Sequence, residues 1–141
     1  MIVEPPSVRP VSHPYPDGLP EGACARSYSL HELMAEKLRA LGDRCLPRDP
    51  YDVVNIHRRA AAGLAAERVL AVLRAKCAHK DLGVPNLDSV RRLIERGEIH
   101  TEWDNMLRHQ VAALAPAREF VAGLADVFAW LEATASSGRA G

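Results

Sequence analysis

Long apolar runs, a surplus of one charge and paired cysteines are all missing from this sequence, and each absence removes a class of function. No stretch approaches the roughly 18 uninterrupted apolar residues that a spanning helix needs. The N-terminal MIVEPPSVRPVSHPYPDGLPEG also lacks the apolar centre of a signal peptide. The chain therefore reads as soluble, with no membrane partner. Lys+Arg and Asp+Glu stand at 18 each, a formal net charge of +0, so no overall field draws in a polyanion. Any nucleic-acid contact has to come from a local patch. Cys24, Cys45 and Cys77 are odd in number and have no C-x-x-C spacing, which argues against a disulfide framework or a zinc site and for a reduced, cytoplasmic protein. There is no internal repeat, and no low-complexity tract beyond a richness in alanine.

What is present fits one ordinary globular core: 141 residues, 48% hydrophobic and 26% charged. Six of the ten prolines fall in residues 1–22, where they block helix and central strand alike, leaving room for a short edge strand over residues 8–11. Residues 1–28 are thus an extended, proline-rich lead-in, and residues 29–135 a helical domain. Ser29-Leu-His-Glu32 has the spacing of a capping box, which predicts a helix over residues 30–41 with Gly42 as its stop. Asp49-Pro50 predicts the start of a second, long helix to about His79, with Gly63 as its weak point. Asn86 or Asp88 caps a third, which carries Val90, Leu93 and Ile94 inward and ends near Gly97. A fourth runs from Thr101 to Leu114, and Pro116 opens the last. There Phe120, Leu124, Val127, Phe128 and Leu131 form a stripe at helical spacing that reads as core. Residues 136–141 are expected to fray into a disordered tail. The fold class is mainly α, a bundle of about five helices with a short extended or β N-terminal segment.

The first helix contains an anomaly. On a wheel of about 100° per residue, Leu30, Leu33, Met34, Leu38 and Leu41 share a face, and Lys37 falls inside that arc. Such a lysine either snorkels over apolar surface or points into a cleft towards a negative partner. Asp49 and Asp52 suit the start of a helix through capping and the helix dipole, and Arg48 can pair with either at little net energy. Two carboxylates near a partly buried lysine are also what phosphoryl or nucleotidyl transfer uses, with carboxylates on Mg²⁺ and a cation on the transferring group. Tyr51 either packs or stacks on a base.

Other candidates are weaker. His31-Glu32 opens like H-E-x-x-H, but Ala35 stands where the second histidine is needed. Cys77 and His79 have no second ligand pair and read as structural. His57-Arg58-Arg59 is a small basic cluster that reads as a solvated face, with RNA phosphates as the alternative. Trp103 and Trp130 read as anchors of helix packing. His13, His100 and His109 have no identifiable partner.

The run YSLHELMAEKLRALGDRCLPRDPYD resembles the signature of the AbiEii/AbiGii abortive-infection toxin family of nucleotidyltransferases. Leu30, Glu32, Ala35, Glu36, Lys37, Leu38, Ala40 and Leu41 match its L-x-E-x-x-A-E-K-L-x-A-L helix. Arg48, Asp49, Tyr51 and Asp52 match its R-D-x-x-D element. His13-Pro14-Tyr15 with Asp17 resembles the segment leading into it, and the later helices with Trp103 and Leu131 resemble the family's helical C-terminal part. The resemblance implies nucleotide transfer from an NTP with Mg²⁺, in some members onto tRNA. It further implies a lysine on the triphosphate at Lys37, with Arg48 beside it, a catalytic or metal-binding carboxylate at Asp49 or Asp52, and a cognate antitoxin as partner. The family's Gly-Ser strand motif with its metal carboxylates has no counterpart, since no Gly-Ser pair occurs in the chain. The expectation is the C-terminal part of such an enzyme, with residues 1–28 a remnant of its sheet and a separate N-terminal fragment supplying the rest. The alternative is a non-catalytic helical module that binds an antitoxin or another protein.

Overall fold

The computed structural model describes residues 1–12 and 20–137. His13, Pro14, Tyr15 and Asp17 lie outside the described residues, as do the last four of the expected tail. The mainly α expectation is met: β1 (Ser7–Pro10) and β2 (Cys24–Ser27) precede α1 (Leu30–Asp43), α2 (Arg48–Ala60), α3 (Ala66–His79), α4 (Leu87–Arg96), α5 (Ile99–Leu107) and α6 (Ala117–Ser137). The strands form a two-stranded antiparallel ribbon, with Ser7 opposite Ser27 and Pro10 opposite Cys24.

The long second helix is corrected to two. A 3-10 turn at Ala61–Gly63 and the extended backbone of Leu64 break it, so the weak point at Gly63 is a true interruption that lets α3 turn back along α1. His31 consolidates the break: its Nε2 accepts the Ala65 N–H at 3.1 Å, satisfying a donor at the start of α3 that no side chain of its own caps. The fourth helix is also shorter than expected. It starts at Ile99, with Thr101 in its first turn, and ends at Leu107. The indole of Trp103 instead donates to the Ala115 carbonyl at 2.9 Å, pinning the loop into α6. Asn86, not Asp88, caps α4, in a reciprocal capping box with Ser89. The last helix continues through Ser136 to Ser137, two residues past the predicted boundary.

Gly42 is not the stop of α1. The helix passes through it, and Cys45 takes the left-handed conformation beyond the end, φ 48°. Gly42 is there because a Cβ on it would lie 2.6 Å from Pro85 Cβ, so the chain entering α4 rests on bare backbone. Gly42→Ala should therefore destabilise by about 1–3 kcal/mol through overpacking, despite alanine's better helix propensity. A denaturant midpoint at or above that of the wild type would contradict this.

The core lies where α1 packs on α2 and α3, and α6 closes over α2 and α3. Met34, Leu38 and Leu41 of α1 meet Val53, Val54, Val69 and Leu73, while Phe120, Leu124, Val127, Phe128 and Leu131 are buried from α6 as the stripe predicts. Each such side chain contributes about 1.5–3 kcal/mol by leaving water. With α1 and α2 locked by this packing, the residues along their shared outer edge are held in fixed positions.

Candidate functional site

Lys37 leaves that apolar face at its edge. Its Nζ lies 2.6 Å from Asp52 Oδ2, and the two side chains are 30% and 29% exposed. The pair thus joins α1 to α2 while both groups stay open to solvent. Asp49, three residues earlier on α2, turns the other way. It is fully buried, takes two hydrogen bonds from the Arg44 guanidinium at 3.1 and 3.2 Å, and accepts the Leu46 N–H at 2.8 Å. Its carboxylate closes the loop between α1 and α2, and it holds the Arg44 pKa above the ordinary value. Arg48 is exposed and pairs with neither aspartate. Of the two carboxylates carried from the sequence, the structure brings Asp52 to Lys37 and keeps Asp49 away.

Asp52 also lines an open groove of about 350 Å³ with Leu30, Tyr51, Asn55, Ile56, Arg59 and Ala60. Tyr51 packs, the first of its two readings, with its ring 5.0 Å from Phe120 and 6.3 Å from Trp103, and it also lines the groove. The His57-Arg58-Arg59 cluster does not act as a unit. His57 packs 5.2 Å from Trp130, where burial pushes its pKa below the ordinary imidazole value. Arg58 lies over Phe120 at 5.5 Å, and only Arg59 reaches the groove.

A second charged cluster, absent from the sequence reading, occupies another face of α1. Glu32 and Lys76 are 2% and 6% exposed at the side chain and lie 2.6 Å apart, and Lys76 also meets Glu36 at 3.2 Å. The Glu32 side chain does not complete a capping box. Only the Ser29 half of the box forms, through the Glu32 N–H at 3.0 Å. The Glu32 carboxylate instead accepts the N–H groups of Val3 and Glu4 at 3.0–3.2 Å, because the N-terminal strap is laid across α1 and brings buried donors that need a partner. Lys76 donates to the Met1 carbonyl at 2.8 Å, and Glu4 is held by Ser29 and Arg68. Burial works to raise the Glu32 pKa, but the hydrogen bond from Lys76 and those from the strap outweigh it and bring it below the ordinary carboxylate value. Lys76 is likewise raised by Glu32 and Glu36 against the cost of its burial. The same helical wheel that singled out Lys37 would have singled out Lys76 beside Val69, Val72 and Leu73. Wheel position finds partly buried lysines but does not sort structural from functional ones.

Cys45 is buried, and its thiol is pushed up to about 12 by that burial; Cys77 is buried and raised for the same reason. Neither is a nucleophile near neutral pH. Among the described residues no three His, Cys, Asp or Glu side chains are grouped to hold a metal ion, and none of the described helices is long and apolar enough to cross a membrane.

These features define a helical protein with a lysine–carboxylate pair at the mouth of an open groove, the two groups drawn from a K-L-x-A-L helix and the R-D-x-x-D element after it. The sequence profile of the family described as nucleotidyl transferase AbiEii toxin, type IV TA system, matches residues 1–132. The chain belongs to that family, whose members are the nucleotidyltransferase toxins of toxin–antitoxin systems. No curated protein and no solved structure matches the chain. Nucleotidyltransferases take an NTP and, in general, a divalent metal. The described residues do not fit that metal, since Asp52 is engaged by Lys37 and Asp49 by Arg44 and Leu46, with no third ligand near either.

Proposed function

We propose that this chain contributes the triphosphate-binding wall of a nucleotidyltransferase toxin that transfers a nucleotide from an NTP to an RNA acceptor, tRNA being the expected one. The observation that carries it is the solvent-open Lys37–Asp52 pair beside a groove, in a chain of this family. Lys37 neutralises the charge that grows on the departing pyrophosphate. Asp52 holds the ammonium in place before the nucleotide arrives and is the groove carboxylate placed to take a proton. In the transfer the acceptor hydroxyl oxygen bonds to the α-phosphorus, the α–β bond breaks, pyrophosphate leaves, and the hydroxyl proton passes to Asp52. Arg48, exposed beside this turn, adds a second cation for the phosphates.

The donor set here does not make a metal site, so in this reading the carboxylates for Mg²⁺ come from a separate N-terminal fragment. The 141-residue chain alone should then bind NTP yet transfer little or no label to tRNA in the presence of Mg²⁺. Robust transfer by the chain alone would refute its incompleteness.

A second reading, a helical module that binds the antitoxin of the system, is favoured by one observation. Ile2, Val3, Tyr28 and Leu33 are exposed apolar residues grouped around the strap, and three of them border a cavity of about 270 Å³ over Lys76. Co-purification with the antitoxin that survives Lys37→Ala, with no NTP bound by the wild type, would establish it instead.

A further inference from the structure

Glu32 and Lys76 hold the strap over residues 1–4, one accepting from Val3 and Glu4, the other donating to the Met1 carbonyl, while Ser29 and Arg68 fix Glu4. Pinned in this way, the strap turns apolar side chains outward: Met1 is 61% and Ile2 50% exposed, with Tyr28 at 57%. Together with Leu33 they line much of the cavity of about 270 Å³ over Lys76. A second cavity, of about 180 Å³, adjoins it. The two share Met1, Glu36 and Lys76 as a common wall, and Arg39, His79 and Lys80 line the second beyond them. Its cations are not equivalent. Arg39 is committed to Glu36 and Asp43, and Lys76 to Glu32 and Glu36. The exposed side chains of His79 and Lys80 have no hydrogen-bond or ion-pair partner among the described residues. A largely apolar recess thus opens onto a basic one that ends in two uncommitted groups.

We propose that these adjoining cavities dock an acidic protein segment, which seats an apolar side chain against Ile2, Tyr28 and Leu33 and sets the carboxylate of a nearby residue on Lys80. Exposed apolar side chains grouped around a recess mark interaction surfaces, and a strap already tied down by buried charges lowers the ordering cost of binding. Charge complementarity selects the partner. The bridges of Arg39 and Lys76 close among themselves, so the positive charge left at Lys80 and His79 is met by an anion from outside. A carboxylate suits it better than a nucleic-acid strand or a lipid surface. A strand carries a phosphate at every nucleotide and needs a tract of free cations, whereas here two basic groups stand next to Glu36, itself 45% exposed at the side chain. A bilayer takes up the apolar face of an amphipathic element, and these apolar groups line a recess instead. The proposal rests on the protein-binding reading, which used the same apolar residues, and adds the chemistry of the partner. It is independent of Lys37, which lines neither cavity.

The test is selection of a displayed library of random dodecapeptides on the wild-type chain. The enriched peptides, synthesised with capped ends, are then titrated into the wild type, Lys80→Glu, Ile2→Ser, Tyr28→Ser and Lys37→Ala. Ile2, Tyr28 and Lys80 are exposed, so these variants should fold as the wild type does, which their melting temperatures check. Enriched peptides should pair a large apolar residue with Asp or Glu. Lys80→Glu should weaken them roughly tenfold or more, the scale of one charge-assisted hydrogen bond. Ile2→Ser and Tyr28→Ser should weaken them as well, and Lys37→Ala should bind them as the wild type does. No enrichment, enriched peptides without acidic residues, or unchanged affinity in Lys80→Glu overturns the site. Affinity lost in Lys37→Ala overturns it too, by moving the peptides to the groove along α2. Binding of poly(U) RNA or of phosphatidylglycerol vesicles that Lys80→Glu abolishes makes the surface one for nucleic acid or lipid, and equally overturns it. An antitoxin that co-purifies as well with Lys80→Glu and Ile2→Ser as with the wild type docks elsewhere, so that the protein-binding reading stands while this site falls.

Discussion

Lys76→Met should cost the fold about 3–5 kcal/mol, the usual consequence of removing one partner from a buried ion pair, and lower the melting temperature by roughly 10 °C or more. The methionine fills the aliphatic volume of the lysine, so the loss is electrostatic. Glu32 is left 2% exposed without its cation, and the Met1 carbonyl loses its donor. Adding Glu32→Gln to Lys76→Met should recover part of the loss, because a neutral amide oxygen still accepts from the N-terminal strap at a smaller desolvation cost. The same cluster sets the response to acid. The pKa values of Glu4, Glu32 and Glu36 are all lowered from the ordinary 4.5, so their contribution is fully present above about 4.5 and is lost as pH falls through the lowered values. Lys76 is raised from 10.5, and its contribution is complete below that value and lost as pH rises through the raised one. His57, lowered from 6.5 by burial, adds a loss as pH falls below that value, and Cys45 and Cys77, raised from 9.0 by burial, add a loss as pH rises above that value. The expected stability profile is therefore flat between 6.5 and 9.0 and falls on both sides. A wild-type-like midpoint for Lys76→Met would show that the strap and its ion pair add little.

Lys37→Ala should behave in the opposite way. Its pair with Asp52 is nearly one-third exposed, and such pairs stabilise folds by no more than about 1 kcal/mol. Removing a cation that meets a phosphate, however, loses a charge-assisted hydrogen bond of about 1.5–3 kcal/mol, or roughly ten- to hundredfold in affinity. Asp52→Ala separates the two members of the pair. It removes a negative charge beside the phosphates, so nucleotide binding should hold or tighten, while transfer in the completed enzyme is lost. Weakened binding in Asp52→Ala would mean that the carboxylate positions the lysine more than it takes part in transfer.

The elements with strong periodicity and clear caps were legible in the sequence. The α6 stripe is buried residue for residue, Ser29 caps where its spacing says, and Asn86 is the one of the two offered caps that the chain uses. What could not be read was where the chain turns back on itself. Gly63 reads as a soft point in one long helix because helix propensity is local, whereas the break at Ala61–Gly63 is set by α3 packing along α1 and by His31 reaching Ala65 from another helix. Gly42 was misread for a related reason: its small size serves Pro85, more than forty residues away. At the site, the spacing that made Lys37 stand out was informative. The two aspartates could not be separated until the loop bearing Arg44 and Leu46 was seen to close over Asp49. Lys76 and Glu4 were missed because their partners lie far along the chain, Met1 in one case and Arg68 in the other.

The central claim is that one partly buried lysine serves a nucleotide while the other serves the fold. It is tested most directly by titrating tripolyphosphate into the wild type and into Lys37→Ala, with the melting temperature of each measured on the same samples. The account predicts that Lys37→Ala loses at least about tenfold in affinity with its melting temperature within a few degrees of the wild type. Unchanged affinity in Lys37→Ala, or a large fall in melting temperature, would contradict it, leaving Lys37 a structural lysine like Lys76.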